Sequence, residues 1–127
     1  MRFLSLYKPA DTKDMEAGVP PRPQEMAAMG TLVEEGFKSG VPLACEGCQP
    51  SSKGARVRLS GGKLTVTDGP FTESKEIIGG LAIIRAKSKE EAIEHAKRFL
   101  NVAGDGVSEI WQLYDESDFA SESASGR

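Results

Sequence analysis

The feature that most constrains the fold of this chain is the glycine pair Gly61-Gly62. Apolar and polar residues alternate on both sides of this pair, over residues 55–60 and 63–68. Two-residue hairpin turns of the primed type favour glycine, because the backbone there adopts positive φ angles. The pattern therefore predicts a β-hairpin, and Pro70 ends its second strand because proline fixes its own φ and has no N–H to donate.

Counting back from the turn predicts the register of this hairpin. One face carries three cross-strand pairs: Leu59 with Leu64, Val57 with Val66, and Ala55 with Asp68. The other face carries Arg56 and Arg58 opposite threonines. Asp68 is thus predicted to end the apolar face at its rim, where it is expected to be partly desolvated.

Asp68 also opens a turn, Asp68-Gly69-Pro70-Phe71, which Pro70 makes stiff because it restricts the preceding glycine as well. The residues that follow include Glu73, Lys75 and Glu76. Two interpretations stay open from the residues alone. Asp68 caps the turn by accepting backbone N–H groups, or it serves a ligand-binding or catalytic site.

Composition predicts one domain over residues 1–114, followed by a loose, Ser-rich and acidic tail over 115–127. The net charge of −3 without a basic stripe argues against nucleic acid as a partner. No apolar run approaches 18 residues, which argues against a membrane span. Two cysteines and no export signal indicate a cytoplasmic protein.

The remaining elements complete an α+β pattern. Strands are predicted at 2–7, 79–86 and 107–114, a helix at 24–39, and a second helix that Ser88 caps. A polar connection over residues 8–22 is either a lid or loose. This order predicts one antiparallel sheet with two helices on one face. Because the strands at 2–7 and 79–86 are apolar on both faces, a second copy is expected to stack on the free face as a homodimer.

Cys45 and Cys48 invite a metal or redox interpretation that the rest of the chain does not support. There is no second cysteine pair, and His95 is the only histidine. Tetrahedral zinc sites need four such ligands. The expectation is therefore no metal and no cofactor, with two reduced cysteines that can be replaced without loss of fold.

Several motifs together resemble the DGPF family, a branch of the YCII-related proteins. Besides residues 68–71, they are Met1-Arg2-Phe3-Leu4, Glu16-Ala17-Gly18, Glu46-Gly47 with Pro50, residues 51–57, Glu73 with Lys75, Glu76 and Gly80, and residues 87–92. The resemblance covers nearly the whole chain. It implies a ferredoxin-like, dimeric α+β barrel and leaves the activity open.

Related dimeric barrels include isomerases, lyases and monooxygenases that act on ring compounds without an obligatory metal. The first hypothesis is accordingly an enzyme or binder for a small ring or carboxylated molecule. Asp68 is its candidate acid–base group and Phe71 an apolar wall. The candidates that orient or tune Asp68 are Glu46, Glu73, Lys75 and Glu76.

One departure from the family pattern bears on this mechanism. The wider YCII group pairs an aspartate with a histidine, but this chain has no histidine before residue 95, and Gln49 stands where some relatives carry one. The alternative hypothesis is a non-catalytic, dimeric regulatory or signal-binding protein. Bacterial relatives encoded beside alternative sigma factors suggest it.

Overall fold

The computed structural model describes residues 1–71 and 76–119. Within these residues the elements follow one another in this order: β1 (Arg2–Pro9), α1 (Lys13–Glu16), α2 (Pro23–Ser39), β2 (Pro42–Gly47), a 3₁₀ turn (Ser51–Lys53), β3 (Ala55–Ser60), β4 (Lys63–Asp68), β5 (Gly80–Arg85), α3 (Lys89–Ala103) and β6 (Gly106–Gln112).

Four of the strands form an antiparallel sheet in the order β2-β5-β1-β6. The helices lie on one face of this sheet, so the ferredoxin-like α+β fold that the sequence predicted is confirmed. None of the helices within the described residues has the length and apolar character that a membrane crossing needs.

The core lies between the sheet and the helices. Phe3 of β1 is 1% exposed and stands opposite Ile84 of β5, which is 7% exposed. Ala92 of α3 packs against this pair. The Ser88 hydroxyl accepts a hydrogen bond of 3.1 Å from the Glu91 backbone N–H, which starts α3 where the sequence predicted.

Helix α2 matches its predicted span, and Gly40 ends it in the left-handed conformation at φ 76°. The periodic apolar residues Met26, Met29, Val33 and Phe37 predict a core-facing stripe on this helix, but the stripe is only partly buried. Met26 is 59% exposed and Phe37 50% exposed, whereas Leu32 and Val33 are half-buried. Periodicity predicts which side of a helix is apolar, but not how much of its length reaches a neighbour.

Strands β3 and β4 form a separate two-stranded sheet. The predicted register is confirmed pair by pair, including Ala55 opposite Asp68. Gly61 and Gly62 have φ angles of 57° and 79°, as a primed turn requires. The apolar face of this hairpin is exposed, and so is Asp68. The partial desolvation expected for Asp68 is therefore absent in the single chain.

Candidate functional site

Ser51 connects three segments that are far apart in sequence. Its backbone N–H donates to Glu16 Oε1 over 2.8 Å, and its hydroxyl donates to Glu16 Oε2. The Ser51 Oγ in turn accepts the backbone N–H of Phe71 over 2.9 Å. All three hydrogen bonds are partly buried, and two of them involve a charged acceptor, which strengthens them. The turn at residues 68–71 is thus fastened to α1 through one serine.

Gly69 lies in direct contact with the same 3₁₀ turn. A Cβ atom at this position would stand 2.6 Å from the Ser51 carbonyl carbon and 3.2 Å from Ser52 Cα. The Gly69 N–H also donates to the Gly54 carbonyl over 3.0 Å. Glycine is required at position 69 because two stretches of backbone approach each other more closely than any side chain allows.

The connection over residues 8–22 is more ordered than either sequence interpretation suggested. It contains α1, its Thr12 is buried, and Glu16 holds Ser51. Lys8, at the end of β1, forms an ion pair of 3.0 Å with Glu109. Part of this connection is therefore an anchor for the candidate site. Glu16 and Ser51 take part in it, although the sequence indicated them only as members of family motifs and not as candidate site residues.

Arg56 contacts two of the predicted site residues, Phe71 and Glu76. Its guanidinium carbon lies 4.2 Å from the centre of the Phe71 ring, within the range of a cation–π contact. Its Nη2 lies 2.8 Å from Glu76 Oε2, with both side chains about half exposed. The arrangement is a planar cation that stacks on an aromatic ring and is held in place by a carboxylate. The sequence pattern predicts Arg56 on the polar face of the hairpin and indicates no role for it in the site.

The other predicted site residues lie elsewhere. Asp68 ends β4 opposite Ala55, so the alternation of the strand puts its side chain on the face away from Arg56. Glu46 is exposed on β2, opposite Leu81 of the four-stranded sheet. Glu73 and Lys75 lie outside the described residues. The structure thus brings Phe71 and Glu76 together around Arg56, and it leaves Asp68 on the opposite face of the hairpin.

Both cysteines are free thiols. Cys45 is half-buried, and burial together with Glu46 raises the pKa of its thiol, while Cys48 is exposed. The His95 ring is 18% exposed, and its Nδ1 accepts a hydrogen bond of 2.8 Å from Arg98. Within residues 1–71 and 76–119, no three His, Cys, Asp or Glu side chains are grouped as metal ligands.

The fold and the anchored turn define a ferredoxin-like α+β protein with an inserted hairpin. The chain belongs to the YCII-related family, because the family's YCII-related domain matches residues 1–116. A curated relative, the uncharacterised protein R00369 of Rhizobium meliloti (strain 1021), is 38% identical over 52 residues. That match covers 41% of this chain and 42% of the relative, less than half of either protein.

A solved structure has the same overall fold. It is 5-chloro-2-hydroxyhydroquinone dehydrochlorinase (TftG) from Burkholderia phenoliruptrix AC1100, in complex with 2,5-dihydroxybenzoquinone. The TM-score is 0.51 and the sequence identity 16%, over 90% of this chain and 94% of the dehydrochlorinase chain. At this identity the comparison shows the fold.

Proposed function

We propose that this protein binds a small aromatic or other ring compound that carries a carboxylate or a phenolate, at the turn formed by residues 68–71. The observation that carries the proposal is the Arg56 guanidinium, 4.2 Å from the Phe71 ring centre and 2.8 Å from Glu76. A guanidinium has five N–H donors in a planar fork that matches the geometry of a carboxylate.

In the proposed complex, Arg56 pairs with the anionic group of the ligand, and Phe71 supplies an apolar wall for the ring. Glu76 fixes the orientation of Arg56, so less side-chain freedom is lost when the ligand binds. Ser51 and Glu16 hold the Phe71 backbone, so the aromatic wall is fixed before the ligand arrives.

Asp68 is the candidate acid–base group of this proposal. It is the carboxylate at the start of the turn, and the solved neighbour of this fold is named for a reaction of a chlorinated hydroxyhydroquinone. Removing a proton from such a ring, or adding one to it, is a step that a single positioned carboxylate can catalyse. In this proposal the site of Asp68 requires no metal and no histidine.

The test is a calorimetric titration with 4-hydroxybenzoate, preceded by a thermal-shift screen of hydroxybenzoates, hydroquinones and lactones. Arg56→Gln is expected to weaken hydroxybenzoate binding by about tenfold or more, because it removes a charge-assisted hydrogen bond. Arg58→Gln is the matched control, because Arg58 lies two residues away on the same face of the hairpin. Equal binding by the wild type and Arg56→Gln would refute the site, and so would a screen in which nothing binds.

Turnover separates the two functional hypotheses. An enzyme should change the absorption spectrum of a bound hydroquinone or hydroxybenzoate, and Asp68→Asn should abolish that change while leaving binding in place. Binding without any spectral change, in the wild type and in Asp68→Asn alike, would favour the regulatory or signal-binding alternative.

A further inference from the structure

The two faces of the β3–β4 hairpin differ in charge as well as in polarity. On the polar face, three side chains are positively charged and the other three carry hydroxyl groups. In chain order they are Arg56, Arg58, Ser60, Lys63, Thr65 and Thr67. All of them are exposed. The polar face is therefore a basic surface on a chain whose net charge is −3, and a surface of this kind attracts anions.

The side chains of this face are also rich in hydrogen-bond donors. Arg56 and Arg58 each present five N–H donors in a planar fork, and the hydroxyls of Thr67 and Thr65 stand directly opposite them across the hairpin. Neither strand contributes a carboxylate, because the alternation of β4 puts Asp68 on the other face. A ligand with several acceptor oxygens therefore meets donors along the whole length of the face.

The positive charges are only partly balanced by the described part of the chain. Arg56 and Arg58 are two residues apart on one strand, so their Cα atoms are about 7 Å apart and their charges repel each other. Among the described residues, the ion pair on this face is the one between Arg56 and Glu76, over 2.8 Å. An anion that contacts both guanidinium groups would relieve the repulsion that remains between them.

The basic face continues the proposed ring site without a break. Arg56 belongs to both, because it lies on the polar face of the hairpin and contacts the ring of Phe71. Arg58 lies one step further from the turn at residues 68–71, towards the tip of the hairpin. A molecule whose first acid group is held by Arg56 can therefore reach Arg58 with its far end.

We propose that the ligand of this site is a ring compound with two acid groups in para positions, the first bound by Arg56 and the second by Arg58. This inference rests on the proposed function, because Arg56 must bind the first acid group. It names the class of ligand as a doubly charged aromatic acid, of which terephthalate is the simplest probe.

The spacing of the two arginines decides between the isomers. Acid groups in para positions lie on opposite sides of a ring, at a separation comparable with the two-residue repeat of a strand. Acid groups in ortho positions lie side by side, so both would face the same guanidinium. The long stem of Arg58 lets its guanidinium adjust to the second acid group, which a shorter side chain could not do.

The first experiment compares two ligands that differ in the second group. Terephthalate carries a carboxylate where 4-hydroxybenzoate carries a neutral hydroxyl group. Calorimetry should show that the wild type binds terephthalate about tenfold or more tightly, because the second carboxylate adds charge-assisted hydrogen bonds. Arg58→Gln should remove most of this preference. The measured quantity is the ratio of the two dissociation constants, so a loss of affinity that is equal for both ligands cancels.

Lys63→Gln is the matched control for the loss of one positive charge from the same face. Lys63 stands opposite Ser60, which is twice as far from Arg56 along β3 as Arg58 is. A para pair of acid groups anchored at Arg56 does not extend that far. The ratio of dissociation constants should therefore change by less than about threefold in Lys63→Gln. An equal reduction of the ratio in both variants would indicate a general charge effect and overturn the proposal.

The second experiment uses the unmodified protein and three positional isomers. Terephthalate, isophthalate and phthalate have the same composition and number of acid groups, so general attraction to a basic face treats them alike. Contacts with two separate arginines should instead give the tightest binding to terephthalate and the weakest to phthalate, with at least about a fivefold difference between these two. Equal binding of all three isomers would overturn the proposal.

The two proposals fail in different ways. If the two-acid ligand is wrong, 4-hydroxybenzoate still binds in a manner that depends on Arg56, while Arg58→Gln leaves the ratio of dissociation constants at its wild-type value. If the proposed function is wrong, neither ligand binds, or Arg56→Gln binds both as tightly as the wild type does.

Discussion

The helix-covered face of the sheet and the aliphatic face of the hairpin have similar sequence patterns and opposite surroundings. On the first, Phe3 and Ile84 stand opposite each other and are 1% and 7% exposed. On the second, Val57 and Val66 stand opposite each other and are 69% and 66% exposed. Alternation thus predicts which face of a strand is apolar, but not what covers it.

The largest expected effect is on the covered face. Phe3→Ala should lower the free energy of unfolding by about 3–5 kcal/mol, since it opens a cavity between the sheet and α3. The matched change on the exposed face is Leu64→Ala. It should cost about 0.5–1 kcal/mol at concentrations where light scattering gives the monomer mass, because only about a third of that side chain is buried there.

Urea unfolding at low and high protein concentration measures the loss of unfolding free energy for Phe3→Ala and for Leu64→Ala. The cost of Phe3→Ala should not depend on concentration, whereas the cost of Leu64→Ala should rise at concentrations where another chain covers the aliphatic face of the hairpin. A cost for Leu64→Ala in the monomer as large as that for Phe3→Ala would contradict the exposure of the hairpin.

A smaller effect is expected where the hairpin joins the rest of the chain. Gly69→Ala would push a methyl group into the backbone of Ser51, so the turn must shift, and stability should fall by about 1–3 kcal/mol. Gly47→Ala is the control, because a Cβ at position 47 would meet nothing within 4 Å and its φ is not positive. The two variants can be compared by thermal unfolding, and equal losses would show that position 69 tolerates a side chain.

The hairpin could be predicted from sequence because its information is local. The turn at Gly61 and Gly62 fixes the register, and the register fixes which residues share a face. The order of strands and helices likewise predicted the ferredoxin-like sheet, since few topologies accommodate that order without crossed connections.

The anchor of the candidate site could not be predicted in the same way. Glu16 and Ser51 are 35 residues apart, and neither belongs to a periodic pattern that brings them together. Arg56 was predicted to lie on the polar face of the hairpin, and that position alone indicated no role in the site. Its contact with Phe71 depends on how the chain turns after Pro70, and alternation within β3 carries no information about that turn.

The smallest expected effect is at Glu109, on the face of the four-stranded sheet opposite the helices, and it depends on pH. The hydrogen bond from Lys8 to Glu109, and then the one from Trp111, lower the pKa of the Glu109 carboxyl below its ordinary value of 4.5. A carboxyl with a lowered pKa in the folded state stabilises the fold above its ordinary pKa. That contribution is lost as the pH falls through the lowered pKa.

The difference in melting temperature between the wild type and Glu109→Gln should therefore be largest near about pH 6 and shrink toward about pH 3. Salt should reduce it, because this pair is partly exposed on an uncovered face. Glu35→Gln on α2 is the control for a general effect of removing one negative charge. If the difference for Glu109→Gln stays constant across this range, Lys8 and Trp111 do not form these hydrogen bonds with the Glu109 carboxylate when the protein is in solution.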